Sequence, residues 1–387
     1  MKLLVAIDHH FFRDPTGGVF LGPPMSISGY QFWQRYLEVF EEVVVLARVR
    51  SLKKPAEPSA VRAGGPRVIF HDLPDYLGPW EYLYQLRALK KEVRRALEEC
   101  DAYILRIPGA VGQLAWRELR RQGRPYALEV VADPWDILSP AATPSIVRPI
   151  VRRRWSNCLR RMCWEASAVC YVTREALQRR YPPGPGVWTA CASDVELPTG
   201  IATPEILRNR LQRIRQITSG NGSTNATSRI GFVGALAQMY KALDVLLNAV
   251  ALCLRSGQTV ELAVAGDGKF RRPMEDLARR LGIGLQVNFL GALEPGPPVL
   301  AFLDSVDLFV LPSRQEGLPR ALIEAMSRGC PCIASCVGGI PELLEPEDLV
   351  PPGDVQSLAG KLSEVLRDPE RLERMALQNL EKAREYL

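Results

Sequence analysis

The sequence predicts an α/β protein made of two doubly wound units. Three observations carry that expectation. Short apolar runs of strand length alternate with amphipathic helical stretches along most of the chain. Loops bearing glycine and proline follow many of the strand candidates, where open parallel sheets bind their ligands. The tract Thr218–Ser228, TSGNGSTNATS, splits the alternation in two, and 387 residues are ample for two domains.

In the first half, Lys2–Ile7 is apolar enough for a buried parallel strand. A loop over 9–18 follows and closes in Pro15-Thr-Gly-Gly, so Gly17 and Gly18 are candidates for a ligand-facing turn. Tyr30–Phe40 has apolar positions at helical spacing, and Val43–Leu46 is the next strand. The 51–66 segment reads as a solvated loop, and Val68–Phe70 as a short strand. A helix over 80–100, a strand over 102–107, a helix over 111–122 and a strand over 126–131 continue the alternation. The last of these runs into Ala132-Asp133-Pro134-Trp135-Asp136. Glu129 lies in this strand, and Asp133 and Asp136 follow its end, on the side where open sheets bind ligands. Arg148–Arg161 carries six Arg interleaved with Ile150 and Trp155, either a solvated face or a surface for anionic membrane. A strand over 168–172 and a helix over 174–180 end at Pro182-Pro183.

The boundary then follows. We expect a first domain over 1–200, a linker over 201–228 that includes a polar helix at 204–217, and a second domain over 229–370. A final helix over 371–387 is a candidate for crossing back to the first domain.

In the second half, Ile230–Val233 is a strand that ends at Gly234. Lys241 stands just before the helix over 242–254, where its ammonium can make a charge-assisted contact to a phosphate. The strand Leu262–Ala265 ends in Gly266-Asp267-Gly268. A helix over 273–281, a strand over 287–290 and a helix over 299–305 lead to the stretch around which this half is organised, FVLPSRQEGLPRALIEAMSRGCPCIASCVGGIPE, residues 309–342. It reads as strand, loop, helix, strand and glycine turn. Pro319 suits a first helical turn, and Gly329 suits the end of that helix. Amides at the helix start, near Gly317 and Leu318, form an anion site backed by the helix dipole. Glu316 and Glu324 flank it. A carboxylate beside a phosphate site repels the phosphate, so these two are suited to accept hydrogen bonds from sugar or ribose hydroxyls. Helices over 355–366 and 369–387 close the chain.

Glu316 and Glu324 in an E-x7-E spacing after Pro312-Ser-Arg, followed by Glu324-Ala-Met, GCPCIAS and GGIPE, resemble the donor site of retaining glycosyltransferases of the GT-B fold, family 4. The resemblance is close over about 229–366 and loose before it. It implies two Rossmann-like domains facing across a cleft, the second holding a UDP- or GDP-linked sugar and the first the acceptor. It implies that Glu316 binds sugar hydroxyls, that Glu324 binds the ribose and that Lys241 binds phosphate. Gly17, Gly18, Gly234, Gly266, Gly268, Gly317 and Leu318 would line the nucleotide. Asp133 would stand near the reacting sugar as the catalytic residue of the first domain. Where the family often has a second basic residue, this chain has Ala235, so Arg314 or Arg320 is expected to compensate. No metal and no cofactor besides the donor is implied. The acceptor class implied is a saccharide or glycolipid.

Composition agrees with this and excludes other classes. Residues 1–217 hold 32 Lys+Arg against 22 Asp+Glu, so the first half carries the basic character and favours an anionic partner. No nucleic-acid motif accompanies it. No apolar run of 18 residues exists, and the start lacks a signal-peptide layout. With nine Cys and no metal spacing, a reducing cytoplasm is the simplest compartment, with peripheral contact at the inner face of a membrane as the finer expectation. Gly231-Phe-Val-Gly234 does not match G-x-G-x-x-G, which argues against a dinucleotide oxidoreductase. The remaining alternative is a GT-B module that binds sugar or lipid without turnover.

Overall fold

The computed structural model describes residues 1–22, 29–57, 60–138, 148–193, 201–218 and 227–386. The chain divides into two compact units. Met1–Pro134, Arg154–Val172 and Leu177–Cys191 form the first; Trp135–Arg153, Thr173–Ala176 and Ala192–Leu387 form the second.

The first unit is built on β1 (Lys2–Arg13), β2 (Val19–Leu21), β3 (Glu42–Ser51), β4 (Val68–Leu73), β5 (Ala102–Ile107), β6 (Ala127–Val130), β7 (Ala168–Tyr171) and β8 (Trp188–Cys191). Their order is β4-β3-β1-β5-β6-β7-β8, with β2 antiparallel to the far end of β1 and the other pairs parallel. Leu3, Leu4, Val5 and Ala6 are fully buried, as expected of a strand covered on both faces. Each such Leu or Val contributes about 1.5–3 kcal/mol on leaving water. The sequence placed a loop over 9–18, but β1 runs on to Arg13. Its register shifts between Ala6 and His10, and the bulge lets the strand pair again with β3 while turning back into β2. Strand β8 went unread because its pattern is mostly exposed and has no apolar alternation.

The second unit holds β9 (Ser228–Val233), β10 (Val260–Ala265), β11 (Val287–Gly291), β12 (Leu308–Leu311), β13 (Cys332–Ser335) and β14 (Leu349–Val350). They form a parallel sheet in the order β11-β10-β9-β12-β13-β14. Every residue of β12 and β13 is buried, Cys332 included, whereas Cys336 just past β13 is exposed.

Two boundaries differ from expectation. The helix Pro204–Thr218, assigned to a linker by its polar composition, belongs to the second unit. Its buried Arg210 donates to the carbonyls of Leu303, Val306 and Arg328, and Arg213 pairs with Asp307. Carbonyl oxygens compensate the desolvated guanidinium, so a helix rich in Arg is nonetheless anchored. The last helix, Pro369–Ala383, packs on this helix and on Arg320–Ser327 of the same unit, where a crossing back to the first domain was expected. Most of the tract expected to be flexible lies outside the described residues.

Candidate donor site

Strand β9 pairs with β10 on one side and with β12 on the other. Connections therefore leave β9 and β12 in opposite directions, and a crevice opens at their carboxyl ends. The loop after β9 carries Gly234 to Lys241; the loop after β12 carries Pro312 to Pro319. Backbone hydrogen bonding joins them, with Arg314 N–H donating to the Tyr240 carbonyl at 2.7 Å.

The side chains complete the joint. Lys241 Nζ donates to Glu316 Oε1 at 2.7 Å, and Ser313 Oγ donates to the same oxygen at 2.6 Å. Lys241 and Glu316 are nearly buried, at 13% and 7% side-chain exposure. Burial opposes the Lys241 ammonium, but Glu316 and Tyr240 outweigh it, and the lysine pKa stands above its ordinary value. Lys241 precedes Ala242, which holds the left-handed conformation at φ 54°. For alanine that costs about 1–2 kcal/mol, and it is held at the residue that delivers Lys241 to the crevice. Glu316 Oε2 takes no hydrogen bond among the described residues.

Glu324 lies on the helix Arg320–Ser327 with 16% of its side chain exposed. Its carboxylate has no hydrogen-bond donor among the described residues, and Arg320 is 3.9 Å away. Burial raises its pKa, with Arg320 opposing. A mostly buried acid without donors is costly, and such groups concentrate at sites that receive a ligand. The Gly317 and Leu318 N–H groups also have no acceptor among the described residues. The glycine turn at Gly338-Gly339 holds this loop. The Gly339 N–H donates to the Gly317 carbonyl at 2.7 Å, and a Cβ on Gly338 would lie 2.1 Å from the Glu316 carbonyl oxygen. The turn after β10 packs on the loop after β9 in the same way: a Cβ on Gly266 would lie 1.9 Å from the Gly234 carbonyl oxygen.

Other expected residues are placed differently. The N–H groups of Gly234, Gly266 and Gly268 are spent on Ala265, Gly291 and Asp267, and these glycines shape the crevice wall. Gly17 and Gly18 lie in the turn between β1 and β2, and both of their N–H groups go to Asp14. That leaves no amide there for a phosphate. Arg314, expected to compensate for Ala235, is held by Asp244 through two bonds of 2.9 and 2.7 Å and by the Met239 carbonyl. Asp133 is buried in the first unit, where it accepts from Arg180 and from the Tyr181 hydroxyl. With an oxygen on each partner it ties the end of β6 to the Arg180-Tyr181 segment, which differs from the catalytic position expected of it. Ser313 and Asp244 were passed over. Their signal was faint: a serine just after a strand, and an acid in the first turn of the helix that follows Lys241.

Comparison with known proteins fits this geometry. A family model described as Glycosyl transferases group 1 matches residues 227–368. Protein CapJ of Staphylococcus aureus is 23% identical over 350 residues, covering 90% of this chain and 84% of that protein. The 2-deoxystreptamine glucosyltransferase of Streptomyces kanamyceticus is 34% identical over 143 residues, covering 36% of each chain. The solved structure of Anabaena HepE in complex with UDP-glucose has a TM-score of 0.65 at 20% identity, covering 100% of this chain and 95% of that one. Two parallel-sheet Rossmann-like domains give this chain the GT-B fold, and its residues 227–368 are similar to the group 1 glycosyl transferases.

Proposed function

We propose that this glycosyltransferase takes a sugar from a UDP- or GDP-linked donor and passes it to a saccharide or lipid-linked acceptor with retention of configuration. The observation that carries the reading is the meeting of Lys241 and Glu316 at the carboxyl ends of β9 and β12. A diphosphate seated there would lie against Lys241 and the Gly317 and Leu318 amides. Negative charge grows on the diphosphate as the glycosidic bond breaks, and preorganised donors stabilise it without reorganising. Glu316 keeps Lys241 charged through Oε1 and offers Oε2 to sugar hydroxyls. Glu324 accepts from the ribose. HepE, a structural neighbour, binds UDP-glucose, which supports a nucleotide-sugar donor. All nine cysteines are free thiols, consistent with work in a reducing cytoplasm. No helix of the described residues is long and apolar enough to cross a membrane. The basic helix Arg148–Glu165, with Ile150 exposed, would provide the peripheral contact.

The test is turnover of a panel of UDP- and GDP-sugars, read as nucleotide release with and without acceptor, beside thermal shift with UDP and GDP. Release with one donor and a raised Tm with its nucleotide are expected. Arg314's commitment to Asp244 leaves the phosphate fewer cations than expected and favours a second reading, a binding module without turnover. Nucleotide binding with no release under any acceptor would select it.

A further inference from the structure

The first unit contains a cavity of about 710 Å³ that the donor site does not use. Small-ligand pockets run about 300–1,000 Å³. It sits where the strand order reverses, since β1 pairs with β3 on one side and β5 on the other. Asp8, in the bulge of β1, and Ala110, just past β5, mark that edge on its wall. Open α/β sheets receive ligands at such a point.

Its chemistry is uneven. Tyr82, Trp116 and Trp155 supply flat apolar walls. Arg117 and Arg154 line it with no ion pair or hydrogen bond among the described residues. Both bear electrostatically on Cys158, another lining residue, so both charges reach the cavity. Arg161 lines it too but is paired with Glu165. Asp8 is the acid on the wall; Arg48 pairs with it at 2.8 Å and the Ala110 N–H donates to it at 2.6 Å, so its charge is already compensated. The Tyr76 hydroxyl, on the same wall, is buried and has no hydrogen-bond partner among the described residues. An orphaned hydroxyl in a cavity with two unpaired guanidinium groups is a cost unless a ligand relieves it.

We propose that this cavity binds a phosphate ester whose ring or apolar body lies against Tyr82, Trp116 and Trp155 while Arg117 and Arg154 grip the phosphate. Guanidinium forks match phosphate oxygens, and aromatic faces suit a sugar ring or a prenyl chain. Resting on the transferase reading above, this makes the acceptor a phosphate-bearing compound, either a sugar phosphate or a lipid phosphate head group.

The test titrates the full chain without donor, following tryptophan fluorescence. The probes are glucose 1-phosphate, citronellyl phosphate, and their neutral counterparts methyl glucoside and citronellol. Both arginines are exposed, so the double variant Arg117→Gln/Arg154→Gln is expected to fold, and Arg153→Gln outside the cavity is the control. At least one phosphate probe is expected to bind, with its Kd raised tenfold or more in the double variant and unchanged in the control. Whichever phosphate binds more tightly identifies the source. Neutral probes binding as well as their phosphates, unchanged affinity in the double variant, or no binding of either phosphate at millimolar concentration each overturns the proposal. UDP and GDP titrated into the wild type and the double variant separate the two readings: binding of either nucleotide to both proteins leaves the donor site standing when the cavity fails, and binding of neither to the wild type sinks the donor site alone.

Discussion

Lys241 and Glu316, 75 residues apart in sequence, form a nearly buried ion pair of 2.7 Å that joins the loops after β9 and β12. In the proposed donor site each side chain would serve a diphosphate sugar only with the other present. A buried ammonium without its carboxylate is poorly solvated, and removing one partner of such a pair costs about 3–5 kcal/mol. We expect Glu316→Gln to lower Tm strongly and to reduce turnover by two orders of magnitude or more. The double variant Lys241→Met/Glu316→Gln should recover most of the lost Tm and none of the turnover. Denaturant unfolding combined with a double-mutant cycle reads the coupling; additive stability losses would show that the pair is not one unit.

The Glu324 carboxyl leads to a pH prediction with a definite sign. Burial raises its folded-state pKa, with Arg320 opposing. A raised carboxyl pKa contributes stability that is fully present below the unfolded value and is lost as pH rises through the folded one. At neutral pH the ionised, donor-poor Glu324 is therefore a burden to the unliganded protein. Glu324→Gln is expected to raise Tm at pH 7 to 8 and to give little gain near pH 4. The same variant should weaken nucleotide binding about tenfold or more, because the amide accepts ribose hydroxyls less well. A Tm difference that stays flat from pH 4 to 8 would contradict the burial argument.

How much of this was legible follows from where each interaction is encoded. The unit from β12 to the glycine turn is contiguous, so its strand, helix, cap and carboxylates all appear in one stretch of 34 residues. Lys241 was legible because a lysine just before an apolar helix is a local signal. What could not be read was who pairs with whom. Nothing local says that Arg314 turns to Asp244, 70 residues away. Arg210 misled for the same reason: a charge in a polar helix looks solvated until the carbonyls of Leu303, Val306 and Arg328 are brought to it. Element identity was carried by periodicity, and partner choice by the tertiary fold.

Gly338 tests whether loop position matters apart from side-chain chemistry. Its φ of 56° lies in the left-handed region, and an added Cβ would fall 2.1 Å from the Glu316 carbonyl oxygen. Gly338→Ala leaves every candidate side chain in place but forces the Glu316–Gly317 backbone to move. A strained non-glycine position costs about 1–3 kcal/mol. We expect a lower Tm and a donor KM raised about tenfold, with kcat changed much less, since the loop bearing Glu316 shifts while Lys241 keeps its charge. Steady-state kinetics with saturating acceptor distinguish this from general destabilisation, which lowers the active fraction and leaves KM alone.

Asp133 separates a positioning role from a chemical one. Its oxygens accept from Arg180 and the Tyr181 hydroxyl, and the Tyr181 phenol pKa is raised, chiefly by burial and then by the hydrogen bond to Asp133. Both oxygens are engaged and the side chain is buried, so a substrate would have to displace Arg180 or Tyr181 to reach it. Asp133→Asn keeps the shape and an acceptor for Tyr181 but removes the charge that holds Arg180, and hydrogen bonds to charged groups are worth about 1.5–3 kcal/mol. The expected result is a Tm loss of several degrees with kcat, measured well below Tm, within about threefold of the wild type. A collapse of kcat by a hundredfold or more at unchanged Tm would instead restore Asp133 to the reaction, because a carboxylate that only ties β6 to Tyr181 cannot remove that much turnover without loosening the fold.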